Sequence, residues 1–112
     1  MNAAELREIW VDVCESGDLL PNLGVRALVN DEQVAIYRVQ GRLYAISAID
    51  PFSNAAVLSR GIVGDLKGQV VVASPIYKQH FNLETGVCLE DESVQLKTYF
   101  VREVAGRIQV AP

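Results

Sequence analysis

"SPIYKQHFNLETG", Ser74 to Gly86, is the stretch on which the reading of this 112-residue chain turns. A proline follows its first residue, an aromatic precedes the turn, and Glu84-Thr85-Gly86 closes a hairpin, the framing of a metal-binding loop. Ser74 and Tyr77, however, stand where that frame places metal ligands. Upstream, "DPF" at Asp50 to Phe52 repeats the X-Pro step. The two loops therefore raise one question together: a working metal site with odd ligands, or the fold of one without its metal.

Working outward, strands occur on both sides. "EIWVDVCE" alternates, with Ile9, Val11 and Val13 on one face and Trp10, Asp12 and Cys14 on the other. "ESGDLLPNLG" is a turn-rich connection with one short helical turn around Asp18 to Leu20. "VRALVNDEQVAIYRVQGRLYAIS" predicts three strands joined by tight turns at Asn30-Asp31-Glu32 and Gln40-Gly41. "GQVVVASP" is a short buried strand, and "KQHFNLETGVCLE" a hairpin turning near Glu84 to Gly86. "QLKTYFVREVAGRIQVAP" gives two strands around Ala105-Gly106. Strands at this spacing, with no competing amphipathic helix, predict an all-β antiparallel sandwich or small barrel. The stretch "DPFSNAAVLSRGIVGDLKG", Asp50 to Gly68, reads as an irregular but ordered excursion packing on the loop around Pro75, its glycines forming turns. No repeat, linker or low-complexity segment divides the chain, so residues 1–112 form a single domain, with 47–90 its loop-rich part.

Composition bounds the function. Half of the residues are hydrophobic and 21% are charged, a globular balance. Ten Lys and Arg against fourteen Asp and Glu leave a net charge of −4, which gives no electrostatic footprint for nucleic acid or an anionic membrane. No apolar run approaches the roughly 20 residues of a spanning helix. "MNAAELREIW" carries acids and no apolar h-region, so it does not resemble a secretory signal. Cys14 and Cys88 lie far apart and read as reduced thiols of a cytoplasmic protein.

Two X-Pro loops, "LSRGIV" after the first and "FNLETG" after the second, resemble a Rieske [2Fe–2S] domain. In that family one loop carries Cys-x-His and the other Cys-x-x-His. Each loop gives a thiolate to one iron and an imidazole to the other, which clamps the cluster between the loop tips. Pro51, Pro75, Phe81, Leu83, Thr85 and Gly86 match the frame, while the four ligand positions fall on Asp50, Phe52, Ser74 and Tyr77. The gap between the loops is longer than is usual there, with "GDLKG" as the extra turn.

Those departures argue against a cluster, because such clusters need thiolates or imidazoles and Phe52 offers no lone pair. His80, the sole histidine, lies three residues past a ligand position, where it reads as an exposed or hydrogen-bonded strand residue. Cys88 reads as a small packing residue. The sequence therefore implies no metal ligand, no cofactor-binding residue and no catalytic residue in this chain. Two replacements suggest themselves: Phe52 and Tyr77 filling the cluster volume with their rings, and Asp50 and Ser74 hydrogen-bonding each other or nearby amides.

"AIDPFSNAAVLSRGIVGD" and "VVASPIYKQHFNLETGVCLEDE" are further similar to the small subunits of cytoplasmic NADH-dependent nitrite reductases. That resemblance implies an accessory subunit of an enzyme that reduces nitrite to ammonium in nitrogen metabolism. The partner is then a large subunit holding siroheme, an iron–sulfur cluster, FAD and NADH. Candidate partner-facing residues are Pro51, Phe52, Ser53 and Asn54 in one loop and Ile76, Tyr77, Lys78 and Gln79 in the other. Ile76 and Tyr77 either face that partner or pack inward. Alternatives are an electron carrier with unorthodox ligands and a freestanding interaction module. Glu90-Asp91-Glu92 reads as a solvated turn, or as a patch for a basic partner. "GIVGDLKG" lacks the strand-to-helix setting of a dinucleotide site.

Overall fold

In the computed structural model, which describes residues 9–112, nine strands form three antiparallel sheets of three strands each. In chain order they are β1 Val11–Glu15, β2 Val25–Val29, β3 Glu32–Val39, β4 Arg42–Ser47, β5 Ile62–Leu66, β6 Gln69–Ala73, β7 His80–Asn82, β8 Phe100–Val104 and β9 Arg107–Ala111. The sheets run β1-β9-β8, β2-β3-β4 and β5-β6-β7. Short 3₁₀ turns lie at Ser16–Asp18 and Leu58–Arg60. Among the described residues no helix is long and apolar enough to cross a membrane. The acidic N-terminal stretch judged unlike a secretory signal lies almost entirely outside the described residues.

Four two-residue hairpin turns build the sheets: Asn30-Asp31, Gln40-Gly41, Lys67-Gly68 and Ala105-Gly106. Both residues of each take positive φ, between 48° and 79°. That backbone matches the right-handed twist of the flanking strands, and Gly, Asn and Asp tolerate it best. Glu32, expected in the first turn, already opens β3 and pairs with Val29.

β3 is the centre of the molecule. Its run "VAIY" is buried on both faces. Alternation sends Ala35, Tyr37 and Val39 into one cluster with Ile46, Leu58, Val72, Phe81 and Leu83. Val34 and Ile36 go into a second, with Val29, Tyr99, Ile108 and Val110. The sheet β2-β3-β4 is thus a middle layer. One face packs on β9, and the other packs on the β5-β6-β7 sheet and the loops beside it. Residues 97–99 cover the remaining edge of β4, with Ser47 N–H donating to the Lys97 carbonyl and Tyr99 N–H to that of Ala45, each at 2.9 Å.

Three expectations change. The stretch 50–68 is irregular only as far as Gly61, because Ile62–Leu66 is a strand paired with β6 from Ile62↔Ala73 to Leu66↔Gln69. Hence only Gly68 among its glycines forms a turn. Gly64 lies within the strand, and Gly61 packs so closely that a Cβ there would stand 2.5 Å from the Ala73 carbonyl oxygen. The hairpin after His80 is reduced to β7, a turn and the single bridge Phe81↔Cys88. Finally, a bulge between Asp12 and Cys14 breaks the alternation of β1, so Val13 and Cys14 both pack on the second cluster.

Candidate functional site

The two X-Pro loops fold alike, residue for residue. In the first, Asp50 N–H donates to the Ala55 carbonyl (2.9 Å), the Asp50 carbonyl accepts from Asn54 N–H (2.7 Å), and Asp50 Oδ1 accepts from Phe52 N–H (2.8 Å). In the second, Ser74 N–H donates to the Gln79 carbonyl (2.9 Å), the Ser74 carbonyl accepts from Lys78 N–H (3.1 Å), and Ser74 Oγ accepts from Ile76 N–H (3.3 Å). The fifth residue of each takes positive φ, 58° at Asn54 and 66° at Lys78. Both are six-residue turns in which a leading side-chain oxygen satisfies an amide two residues on, as Asp and Ser do readily.

The leading residues meet. Ser74 Oγ–H donates to Asp50 Oδ2 at 2.5 Å, and both side chains are 0% exposed. Of the two replacements that the sequence suggested, the structure shows the polar one. The aromatic one is corrected: Tyr77 is 58% exposed, and Phe52, 37% exposed, stacks at a tilt on Phe81 with 6.2 Å between centroids. The volume between the loops is closed by the hydrogen bond, so the two rings are free to stand on the rim. Pro51, Asn54 and Lys78 are also exposed, Ile76 is 43% exposed, and Ser53 and Gln79 are half-buried.

Below the tip, the loops rest on fixed ground. Tyr37 of β3 donates its buried hydroxyl to the Leu58 carbonyl, and Leu58 N–H donates to that of Ala48 (3.1 Å). Burial drives the Tyr37 phenol far above its usual range, so it remains a donor. Two further apolar residues adjoin the tip: Ile49, and Ile62, which is paired with Ala73 next to Ser74 and 73% exposed, although an ordered excursion is expected to bury its apolar residues, Ile62 among them. The signal for Ile62 was an apolar residue on an edge strand, hidden once that strand was taken as irregular.

His80 lies half-buried on β7. Its N–H donates to Glu90 Oε1 (2.6 Å), and its Nδ1 lies 2.8 Å from Glu90 Oε2. Glu90 is therefore not merely a solvated turn residue. Partial burial works against its charge, but the His80 amide and ring outweigh it and hold the carboxyl below the ordinary range. Asp91 caps Ser93, whose N–H donates to Asp91 Oδ1 at 3.1 Å. Cys88 is buried, and burial pushes its thiol upward, the opposite of a ligand thiolate.

These donors do not fit a [2Fe–2S] cluster. Asp50 and Ser74 are hard oxygens already bonded to each other and to loop amides, Phe52 has no donor atom, and the Tyr77 phenol faces outward. Among the described residues no three His, Cys, Asp or Glu side chains converge as a metal site.

A Rieske-like [2Fe-2S] domain is matched over residues 9–111. The nitrite reductase (NADH) small subunit of Escherichia coli K12 is 47% identical over 103 residues, spanning 90% of this chain and 95% of that protein. The chain belongs to the Rieske-like family, among the nitrite reductase (NADH) small subunits. The solution structure of the Escherichia coli protein NirD superposes on this Rieske-like chain with a TM-score of 0.85 at 46% identity, covering 92% of this chain and 96% of that one. The nitrite reductase [NAD(P)H] large subunit of Klebsiella oxytoca holds a region 31% identical to 90% of this Rieske-like domain, equal to 11% of its own length.

Proposed function

We propose that this chain is the accessory small subunit of a cytoplasmic NADH-dependent nitrite reductase. It supports the reduction of nitrite to ammonium by binding the large subunit and carries no cluster of its own. The buried Asp50–Ser74 hydrogen bond, at positions where the Rieske resemblance expects two cluster ligands, is the observation that carries this reading. Siroheme, an iron–sulfur cluster, FAD and NADH belong to the large subunit. The Klebsiella large subunit, with a like domain within its own chain, supports a working contact between this domain and the catalytic body.

The docking face is the loop tip, with Pro51, Phe52, Ser53 and Asn54 beside Ile76, Tyr77, Lys78 and Gln79. Phe52, Ile76 and Tyr77 each place apolar surface in water on neighbouring loops, and large apolar side chains exposed at one end of the fold favour an interaction site there. Binding that favours the competent conformation of the large subunit raises activity with no group transferred by this chain.

The test is a titration of the purified large subunit with iron-free small subunit, following nitrite-dependent NADH oxidation. Saturable stimulation is expected. Stimulation that appears only after the small subunit has been loaded with iron and sulfide would assign it an electron-carrying role instead.

A further inference from the structure

Tyrosines and Cys88 aside, Asp50 and Ser74 are the only buried polar or charged residues among those described. A carboxylate taken from water is expensive unless its bonds are made, and an apolar pair of similar size stabilises as well or better. The pair is therefore a costly way to fill space but an effective way to fix geometry, because a fully satisfied buried network admits one arrangement. Each member also holds its own loop, Asp50 through Phe52 N–H and Ser74 through Ile76 N–H. One bond thus sets three things: the first turn, the second turn and their relation.

Neither loop keeps its shape for free. Asn54 and Lys78 hold left-handed backbone without glycine, which persists only where the surroundings over-determine it. Phe52, Ile76 and Tyr77 ride on these turns with more than a third of their surface in water. Burial alone leaves them loosely aimed, so the turns must aim them.

We propose that Asp50 and Ser74 are positioning residues for partner recognition. They preset the tip in its docking shape, so affinity for the large subunit depends on their bond as the fold does. This rests on the docking role proposed above. A surface already in its bound form avoids the ordering that binding otherwise demands.

The experiment compares wild type with Ser74→Ala, Asp50→Ala and Asp50→Asn. It measures calorimetric affinity for the large subunit and amide hydrogen exchange at Phe52, Asn54, Ile76 and Lys78, with β3 and β9 amides as the internal reference. Ser74→Ala and Asp50→Ala are expected to weaken binding by ~10-fold or more and to speed the four loop amides by more than the common shift of the reference amides, which follows global stability. Asp50→Asn can still accept from Phe52 N–H and donate its amide nitrogen to Ser74 Oγ, so it is expected to bind within about threefold of wild type. If Ser74→Ala does not fold, Ser74→Cys takes its place with a weaker bond.

Wild-type affinity in Ser74→Ala and Asp50→Ala with loosened loop amides would overturn the proposal, since the bond would then be structural only. Asp50→Asn binding as poorly as Asp50→Ala would also overturn it, in favour of charge over geometry. Failure of the wild-type chain to bind the large subunit would instead refute the docking role itself. In that case, unmoved loop amides in the variants would separately show that the bond does not hold the tip.

Discussion

The hairpins and the tip reverse the chain by different means. At Asn30-Asp31, Gln40-Gly41, Lys67-Gly68 and Ala105-Gly106 two residues take positive φ, and strand pairing does the rest. At the tip, six-residue turns are held by side-chain oxygens and joined by one bond between Asp50 and Ser74. Hairpin turns are local: each is fixed by its own two residues and the ladder beside it. The tip is non-local, since each loop depends on a residue 24 positions away. On the function proposed above, a Rieske-like fold without a cluster must replace a non-local tie, and the buried polar pair is proposed as that replacement.

Substitutions that break one kind of reversal and spare the other sharpen this contrast. Ser74→Ala leaves the buried Asp50 Oδ2 without its donor, and about 1–3 kcal/mol of stability should be lost in a urea titration. A loss confined to a few tenths would mean that water replaces the hydroxyl and that the bond is no tie. Gly68→Ala strains only its own hairpin: φ is +79° and the added Cβ would meet nothing within 4 Å. A cost of about 1 kcal/mol is expected, with the tip amides unaltered. Altered tip resonances would show that the hairpin is not local after all.

A smaller effect comes from pH, at the anchor beneath the first loop. Burial raises the folded Tyr37 phenol far above its ordinary value of about 10. Its contribution is therefore complete below pH 10 and is lost as pH rises, because only the unfolded chain ionises there. The loss is about 0.4 kcal/mol at pH 10 and grows beyond it. Tyr37→Phe should flatten this alkaline slope; an unchanged slope would place its origin in Tyr99 or the cysteines, whose phenol and thiols are also raised by burial. Smallest of all, Tyr77→Ala should leave stability within about 0.5 kcal/mol of wild type, as for an exposed side chain, while weakening binding to the large subunit. A stability loss of several kcal/mol would return the ring to the interior.

The contrast also explains what the sequence could reveal. Gln40-Gly41 and Ala105-Gly106 announce their turns through residue type, and the strands beside them alternate, so those hairpins are legible. Lys67-Gly68 has the same chemistry but follows "IVGDL", where Gly64 and Asp65 weaken a five-residue strand that relies on β6 for its form. The loops are visible through Pro51 and Pro75, and Asp50 and Ser74 are recognisable as groups able to bond. That Phe52 and Tyr77 both stand on the rim is not legible, because it depends on what closes the space between the loops. The pairing of His80 with Glu90 is hidden for a like reason: it needs the β7 register that brings residues ten apart together.

The most direct test of a tip tied by a polar pair in place of a cluster is the iron and acid-labile sulfide content of the chain, expressed with iron and purified without oxygen. A colourless, folded protein without stoichiometric iron is expected. About two irons per chain with a visible chromophore would contradict it.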